Sequence, residues 1–440
     1  MSVLRAVREF PLALRLLFIN QFGIDIGYCV LIPFLATYLE HNLGMSAALV
    51  GLVLGIRNLS QQGLFVLGGT MADRLGPRRV ILTGCALRTV GFALFSLGHS
   101  LPLLLAASVF SSLAGALFYP AVRAYVTQET GERRAEAFAL LNVFATSGWL
   151  IGLILGGLVC LGDYQVWALA VTCVFALLTV AQAYALPARE VAVARETVLG
   201  DWREVLANRR FLWFSLATTG MVVMENQLFV LLPEGARRAA GREAGAGLLL
   251  ASGAVVHLLF QLRITQGLGR RGGSARWLGT GIAVIGLGFV PPLLVCGAAP
   301  PAGGAEAVSR LIVMVTGALL LYLGGMVAYP SAMELIPGFG RERLAGTYFG
   351  LFYMLTGTTA VAGNALVGWA MDIGARTGRT WLPWLCCLLF GLGSSLAVAL
   401  LYRARALPAR PAPAGAPAPG PARLPGQAHA PDDATDRPPR

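Results

Sequence analysis

The stretch "GGTMADRLGPRRVIL", Gly68–Leu82, joins two long oily segments through one acid, three arginines and a Gly-Pro pair. A soluble protein can carry such a turn anywhere, so its meaning rests on the segments around it. Those run over roughly 46–70 and 80–98. Crossing ~30 Å of hydrocarbon takes about 20 helical residues at ~1.5 Å each, and both are long enough. The same pattern recurs to give twelve runs, at about 12–38, 46–70, 80–98, 101–126, 137–161, 164–186, 210–233, 245–268, 277–298, 308–331, 345–372 and 380–402. Apolar residues make up 56% of the chain and charged residues 13%; soluble domains sit nearer roughly 45–50% and about 25%. The expected fold class is therefore an all-α membrane protein of twelve transmembrane helices. Met1–Asn20 offers no small-residue cleavage site and runs into the first span, so no separate secretory signal is expected.

The formal charge is +12, and every basic residue is arginine. Nucleic acid is not the implied partner, because the arginines lie between spans, where topology explains them. Cytoplasmic loops collect positive charge. Arg5, Arg8 and Arg15 precede span one, Arg74, Arg78 and Arg79 follow span two, and Arg133 and Arg134 follow span four. The loops after spans one, three and five have no arginine. Both termini are thus expected in the cytoplasm, with Gly44, His99 and Asp163 on the far side. Arg237, Arg238 and Arg242 break this rule, and the sequence gives no account of them. The seven cysteines show no metal spacing and no disulfide framework, and read as small hydrophobes. No metal or cofactor is expected.

Pro187–Arg210 carries nine charges of mixed sign. The organisation read from this is an N-terminal six-helix half at 1–186, a cytoplasmic linker at 187–209, a C-terminal six-helix half at 210–403 and a tail at 404–440. The tail is rich in Pro, Ala and Gly without apolar periodicity, and is expected to be disordered. The halves repeat. "DIGYCVLIP" at Asp25–Pro33 matches "ENQLFVLLP" at Glu225–Pro233, each placing a carboxylate eight residues before a proline. Tyr119-Pro120 matches Tyr329-Pro330, and the same offset of 210 carries Glu132-Arg133 onto Glu342-Arg343 and Phe138 onto Tyr348. "GLVLG" at Gly51 matches "GLLLA" at Gly247, and "GRRG" at 269–272 is a worn copy of "DRLG" at Asp73–Gly76. Matches in one order imply two parallel repeats of six helices around a central site.

The knot Gly69-Thr-Met-Ala-Asp73-Arg74-Leu-Gly76-Pro-Arg78-Arg79 resembles the signature loop between helices two and three of the major facilitator superfamily. Gly148-Trp-Leu-Ile-Gly152-Leu-Ile-Leu-Gly156-Gly157 resembles the glycine motif of its drug:proton antiporters, with Leu153 where proline is usual. The longer stretch "GIRNLSQQGLFVLGGTMADRLGPRRVILTGCALRTVGFAL" is similar to the MdtH-type multidrug-efflux branch. The fourth-helix arginine common in proton-coupled members falls near Ser111, so a mechanism built on that arginine does not carry over. The resemblance implies two six-helix repeats rocking about a central cavity. It also implies that the knot latches the halves when the cavity faces outward.

That gives the knot a purpose. Gly69 and Gly76 permit close backbone approach and a tight turn. Asp73 is placed to meet helix-terminal N–H groups or an arginine, while Arg74, Arg78 and Arg79 hold the loop in the cytoplasm. The competing reading is a merely solvated turn. Gly148, Gly152 and Gly156 at spacings of four make a flat stripe for helix packing, with Gly157 beside it.

Charges inside the spans carry the chemistry, since each costs roughly 2.5–3.5 kcal/mol at mid-bilayer on insertion scales and so faces a cavity or a partner. Asp25 and Glu225 lie roughly 20 Å along their helices, near the midplane, and are the candidates for proton coupling. Arg57 and Arg88 are the candidate charge partners; the alternative is a structural ion pair. Gln61, Asn226 and His257 are candidates to line the substrate cavity, although a packing role for His257 is the blander reading. Arg123 and Glu334, near cytoplasmic span ends, read as interfacial. No phosphate-cradling G-x-x-x-x-G-K-[ST] and no H-E-x-x-H occurs, so no enzyme is expected. "GLGRRGG" at 267–273 follows a helix and is no dinucleotide site.

The expectation is a secondary transporter of a bacterial inner membrane, exporting amphipathic compounds against protons as a monomer in the lipid bilayer. Uptake of a small metabolite is the alternative within transport. A non-transporting membrane partner or assembly factor is the alternative outside it.

Overall fold

The computed structural model describes residues 3–39, 44–45, 47–98, 100–159, 164–187, 197–241, 244–269, 273–298, 301 and 303–408. His99, Asp163, Arg242, the Arg270–Gly272 part of the worn repeat and the tail beyond Pro408 lie outside the described residues. The described chain is helical throughout. A short α1 (Val3–Arg8) leads into α2 (Leu12–Thr37), α3 (Ala47–Leu75), α4 (Pro77–Ser96), α5 (Leu101–Thr130), α6 (Arg134–Val159) and α7 (Tyr164–Ala185). After α8 (Val198–Ala207) come α9 (Arg209–Asn226), α10 (Leu231–Ala240), α11 (Ala244–Gly269), α12 (Ser274–Leu287), α13 (Val290–Val295), α14 (Gly304–Leu335), α15 (Ala345–Thr377) and α16 (Leu382–Arg403).

Among the described residues, eleven helical stretches are long and apolar enough to cross a membrane. A further helix, α3, has 29 residues, carries Arg57, Asn58, Gln61 and Gln62 in its middle, and packs on both α5 and α15. The chain is an all-α, multi-pass membrane protein.

Three sequence boundaries change. The seventh run is two helices, α9 and α10, broken at Gln227–Val230, because Pro233 has no N–H to give the Phe229 carbonyl and its ring disfavours helix just before it. The ninth run breaks likewise ahead of Pro291 and Pro292, which start α13. The linker at 187–209, read from sequence only as a charged connector, contains a helix: α8 begins at Thr197, whose hydroxyl accepts the Gly200 N–H.

Prolines inside helices explain two close approaches. Pro330 leaves the Met326 carbonyl without its helical donor, and Gln261 of α11 fills the gap at 3.0 Å. Pro120 does the same to Ala116, and there α3 crosses at Gly68, where a β-carbon would collide with that carbonyl. The matched Tyr-Pro pairs thus sit at matched helix crossings.

Helices α2–α7 pack among themselves, as do α9–α16. The two blocks meet mainly where α3 runs against α15, with further contact of α5 on α15 and of α6 on α11 and α14. Along α3–α15 the backbones nearly touch. Gly69 and Gly346 face each other's carbonyls, and Gly350 lies on the Phe65 carbonyl, with no room for a β-carbon at any of the three.

Candidate functional site

The knot is less a loop than a one-residue break. α3 continues through Asp73 and Arg74 to Leu75, Gly76 turns the chain at φ 88°, and Pro77 opens α4. That φ is the left-handed region, where glycine is strain-free. Asp73 reaches across to the N-terminus of α15. Its Oδ1 accepts the Gly346 N–H at 2.8 Å, and its Oδ2 accepts the Thr347 N–H and hydroxyl, both at 2.7 Å. These are donors a helix start leaves unpaired, and a carboxylate there also meets the positive end of the helix dipole. Arg74 bonds Asp201 of α8 at 2.6 Å, and Arg343 bonds the other oxygen of the same carboxylate at 3.2 Å. Asp201 is 1% exposed. Trp202 Nε1 donates to Thr70 at 2.8 Å. Arg78 donates to the Leu186 and Ala183 carbonyls, capping the end of α7, while Arg79 is exposed. The linker helix is therefore part of this junction, which sequence reasoning missed; the acid at 201 was the available signal.

The cavity between the blocks has a volume of about 240 Å³. Asp25 of α2 and Glu225 of α9 both line it, with His257 of α11, Asn142 and Trp149 of α6, and Tyr322 and Tyr329 of α14. The Asp25 carboxylate accepts the Gln21 amide at 2.7 Å. Gly148 and Gly152 pack against α2 directly behind Asp25, their β-positions 3.1 Å from Asp25 Cβ and 2.7 Å from Cys29 Cβ. Gly156 is buried further along α6, and Gly157 lies within that helix. The glycine stripe sets how closely α6 holds the acid helix. His257 is 4% exposed, with Nε2 3.4 Å from the Asn142 amide nitrogen. Trp149 and Phe229 meet across the cavity, ring centroids 4.4 Å apart. These aromatic walls had no sequence signal beyond apolar character.

Several expectations are corrected. Among the described residues no ion pair joins Arg57 or Arg88 to Asp25 or Glu225, although the Arg88 charge acts on Asp25. Arg57 lies over the Tyr28 ring and donates to its hydroxyl, and Arg88 lies over Phe118 and Phe175. Gln61 lines the same small cavity as these arginines, not the central one. Asn226, adjacent to Glu225, lines neither. Arg123 is not interfacial. It is 6% exposed, beneath the central cavity, over the Tyr119 and Tyr353 rings with Nη2 3.4 Å from Tyr329 Oη. Glu334 takes a hydrogen bond from Ser274. Arg237 and Arg238 both pair with Glu234 one turn back on α10, so these two arginines form a local ion cluster. Among the described residues six cysteines are free and no group of residues is suited to a metal ion.

The sequence profile described as the Major Facilitator Superfamily matches residues 17–363. A Mycobacterium tuberculosis (strain ATCC 25618 / H37Rv) protein described as "Uncharacterized MFS-type transporter Rv0849" is 39% identical over 391 residues, covering 88% of this chain and 92% of that protein. The "Multidrug resistance protein MdtH" of Enterobacter sp. (strain 638) is 28% identical over 383 residues, covering 87% and 92%. Among solved structures, the human organic anion transporter MFSD10 superposes with a TM-score of 0.68 at 17% identity, over 88% of this chain and 98% of that one. The E. coli fucose:proton symporter FucP does so at 0.67 and 15%, over 88% and 98%. With a profile match over most of its length and a close relative along nearly all of it, the chain belongs to the Major Facilitator Superfamily, a family of membrane transporters.

Proposed function

We propose that the protein exports amphipathic compounds in exchange for protons by alternating access, in the manner of MdtH-type transporters, from a bacterial inner membrane with both termini in the cytoplasm. Asp25 and Glu225 carry the proton. The observation behind this is that the two carboxylates, from matched repeat positions on helices of different blocks, line one cavity, and among the described residues neither is ion-paired to an arginine. A carboxylate not locked into an ion pair can take up and release a proton as the cavity opens to each side. The blocks 1–186 and 210–403 rock about this cavity, and the α3–α15 seam with its Asp73 and Asp201 contacts is the latch that closes the loop side.

The test is flux in proteoliposomes holding the purified protein. An imposed proton gradient is expected to drive an amphipathic dye uphill, with proton movement in the opposite sense. Dye movement that ignores the gradient would reject proton exchange, and movement in the same direction as protons would replace export by uptake. Absence of flux for every dye and metabolite tried, in a folded and correctly inserted protein, would favour the non-transporting partner.

A further inference from the structure

A larger cavity, of about 370 Å³, lies inside the second block, and among the described residues it shares no lining residue with the central one. Its walls are α10, the end of α13, the start of α14, the last turns of α15 and the start of α16. Met371, Gly374 and Ala375 place it at the end of α15 opposite the one that Asp73 caps. Trp384, Met314 and Met371 line it from α16, α14 and α15. Helix α10 presses onto the first two, for a β-carbon at Gly235 would collide with Met314 and come within 2.8 Å of the Trp384 ring. The charged side chains in the lining are ion-paired: Glu234 with Arg238 and with neighbouring Arg237, and Arg310 with Glu306. The Thr380 hydroxyl and the Cys296 thiol, which meet each other, add uncharged polar groups.

We propose that this cavity is a second small-molecule site, taking an uncharged aromatic compound that carries a hydroxyl. The volume sets the size. It lies at the low end of the roughly 300–1,000 Å³ of small-molecule pockets, so the occupant is compact. The ion pairs set the sign, since arginines and carboxylates that already answer each other select no ligand ion, and an ion entering an apolar space loses its hydration. An indole and two thioethers set the ring character, because sulfur favours aromatic contacts and methionine adapts to the shape it meets. Thr380 can donate to a ligand hydroxyl or accept from it. Leu228 and Phe229, at the break after Glu225, line the central cavity, while Leu231 at the start of α10 lines this one. An occupant therefore braces α10 against α14 and α16 within a turn of the central cavity. The site is separate from the transport path proposed above and does not depend on the direction or coupling of transport.

The test uses the full-length purified protein with naphthol as the probe. Naphthol is expected to slow maleimide labelling of Cys296 severalfold and saturably, read by peptide mass spectrometry, and to raise the melting temperature by a few degrees. Naphthoate, the same ring with a charge, and decanol, an apolar alcohol without a ring, are expected to do neither. Ala298→Trp fills the cavity from its exposed rim and should abolish the melting shift. Ala375→Trp does the same from α15 and replaces it if the first variant fails to fold. Cys296 labelling that naphthol leaves unchanged, or a Cys296 that no reagent reaches, would overturn the proposal. So would a melting shift that survives in both filled variants, because naphthol would then bind elsewhere. Equal protection by naphthoate or decanol would likewise overturn it, since neither the paired charges nor the indole would be selecting the occupant.

Discussion

Asp73, at the last turn of α3, caps the start of α15 through Gly346, accepting its N–H at 2.8 Å across 273 residues of sequence. The bond joins the two blocks through one carboxylate and a helix terminus. Thr347 adds two further hydrogen bonds to the same side chain. A hydrogen bond to a charged group is worth about 1.5–3 kcal/mol, so this contact contributes substantially to holding the two blocks together.

Asp73→Asn keeps the shape but removes the charge and one acceptor. Transport is expected to slow by roughly tenfold, the effect of ~1.4 kcal/mol on a rate-limiting equilibrium, with substrate affinity within a few-fold of normal. Flux and equilibrium binding measured on the same preparation check this. A large loss of affinity with normal flux at saturating substrate would count against a latch.

Asp201 is the acid shared by Arg74 and Arg343, and its burial makes it hard to replace. Asp201→Ala leaves both arginines without it. Removing one member of a buried pair costs about 3–5 kcal/mol; because the guanidiniums are 24% and 29% exposed, the lower end applies. Thermal melting in detergent should fall, and Trp202 fluorescence should shift toward that of a solvated indole as α8 loosens. Unchanged melting and emission would show that α8 rests on the blocks without holding them.

Gly350 has no space for a side chain where α15 lies on the Phe65 carbonyl. Gly350→Val must push α3 from α15, at a cost of about 1–3 kcal/mol to the packed seam. With Gln62→Cys as a reporter in a background cleared of reactive thiols, labelling should rise severalfold over Gln62→Cys alone. Equal labelling rates would mean that the seam is not what keeps water from this position.

Asp25→Asn and Glu225→Gln each fix a carboxyl as its neutral mimic. Uphill export driven by a proton gradient should vanish while downhill exchange persists. Expression and melting should hold, because neither side chain is ion-paired to an arginine among the described residues. Variants that fold and still pump against a gradient would remove both residues from coupling.

Much of the architecture was legible because a bilayer imposes a simple rule: every backbone polar group must be bonded within its own segment, so length and hydropathy report helices directly. What hydropathy does not report is where the polar residues of a span go: Arg57 and Gln61 of α3 line a small cavity with Tyr28 and Arg88. The pairing of Asp25 with Glu225 in one cavity was readable from the repeat, since equivalent positions in parallel repeats come together at a common axis. The partners assigned to them were not. Arg57 and Arg88 lie in the same helices' neighbourhood by count, but side-chain direction sent them into an aromatic interior instead. Arg123 was misplaced for the same reason: nearness to a helix end along the chain said nothing about the tyrosines that cover it.

The sequence by itself determined the membrane class, most of the helices, the repeat and the matched positions of Asp25 and Glu225, because these follow from local hydropathy and periodicity. Only the tertiary structure decided that Asp73 meets α15, that the linker folds into α8 and holds Arg74 and Arg343 together, and that Arg57 and Arg88 line one small cavity. Those contacts join residues tens to hundreds of positions apart, and their energies depend on distance, direction and burial, which no single segment of the chain encodes.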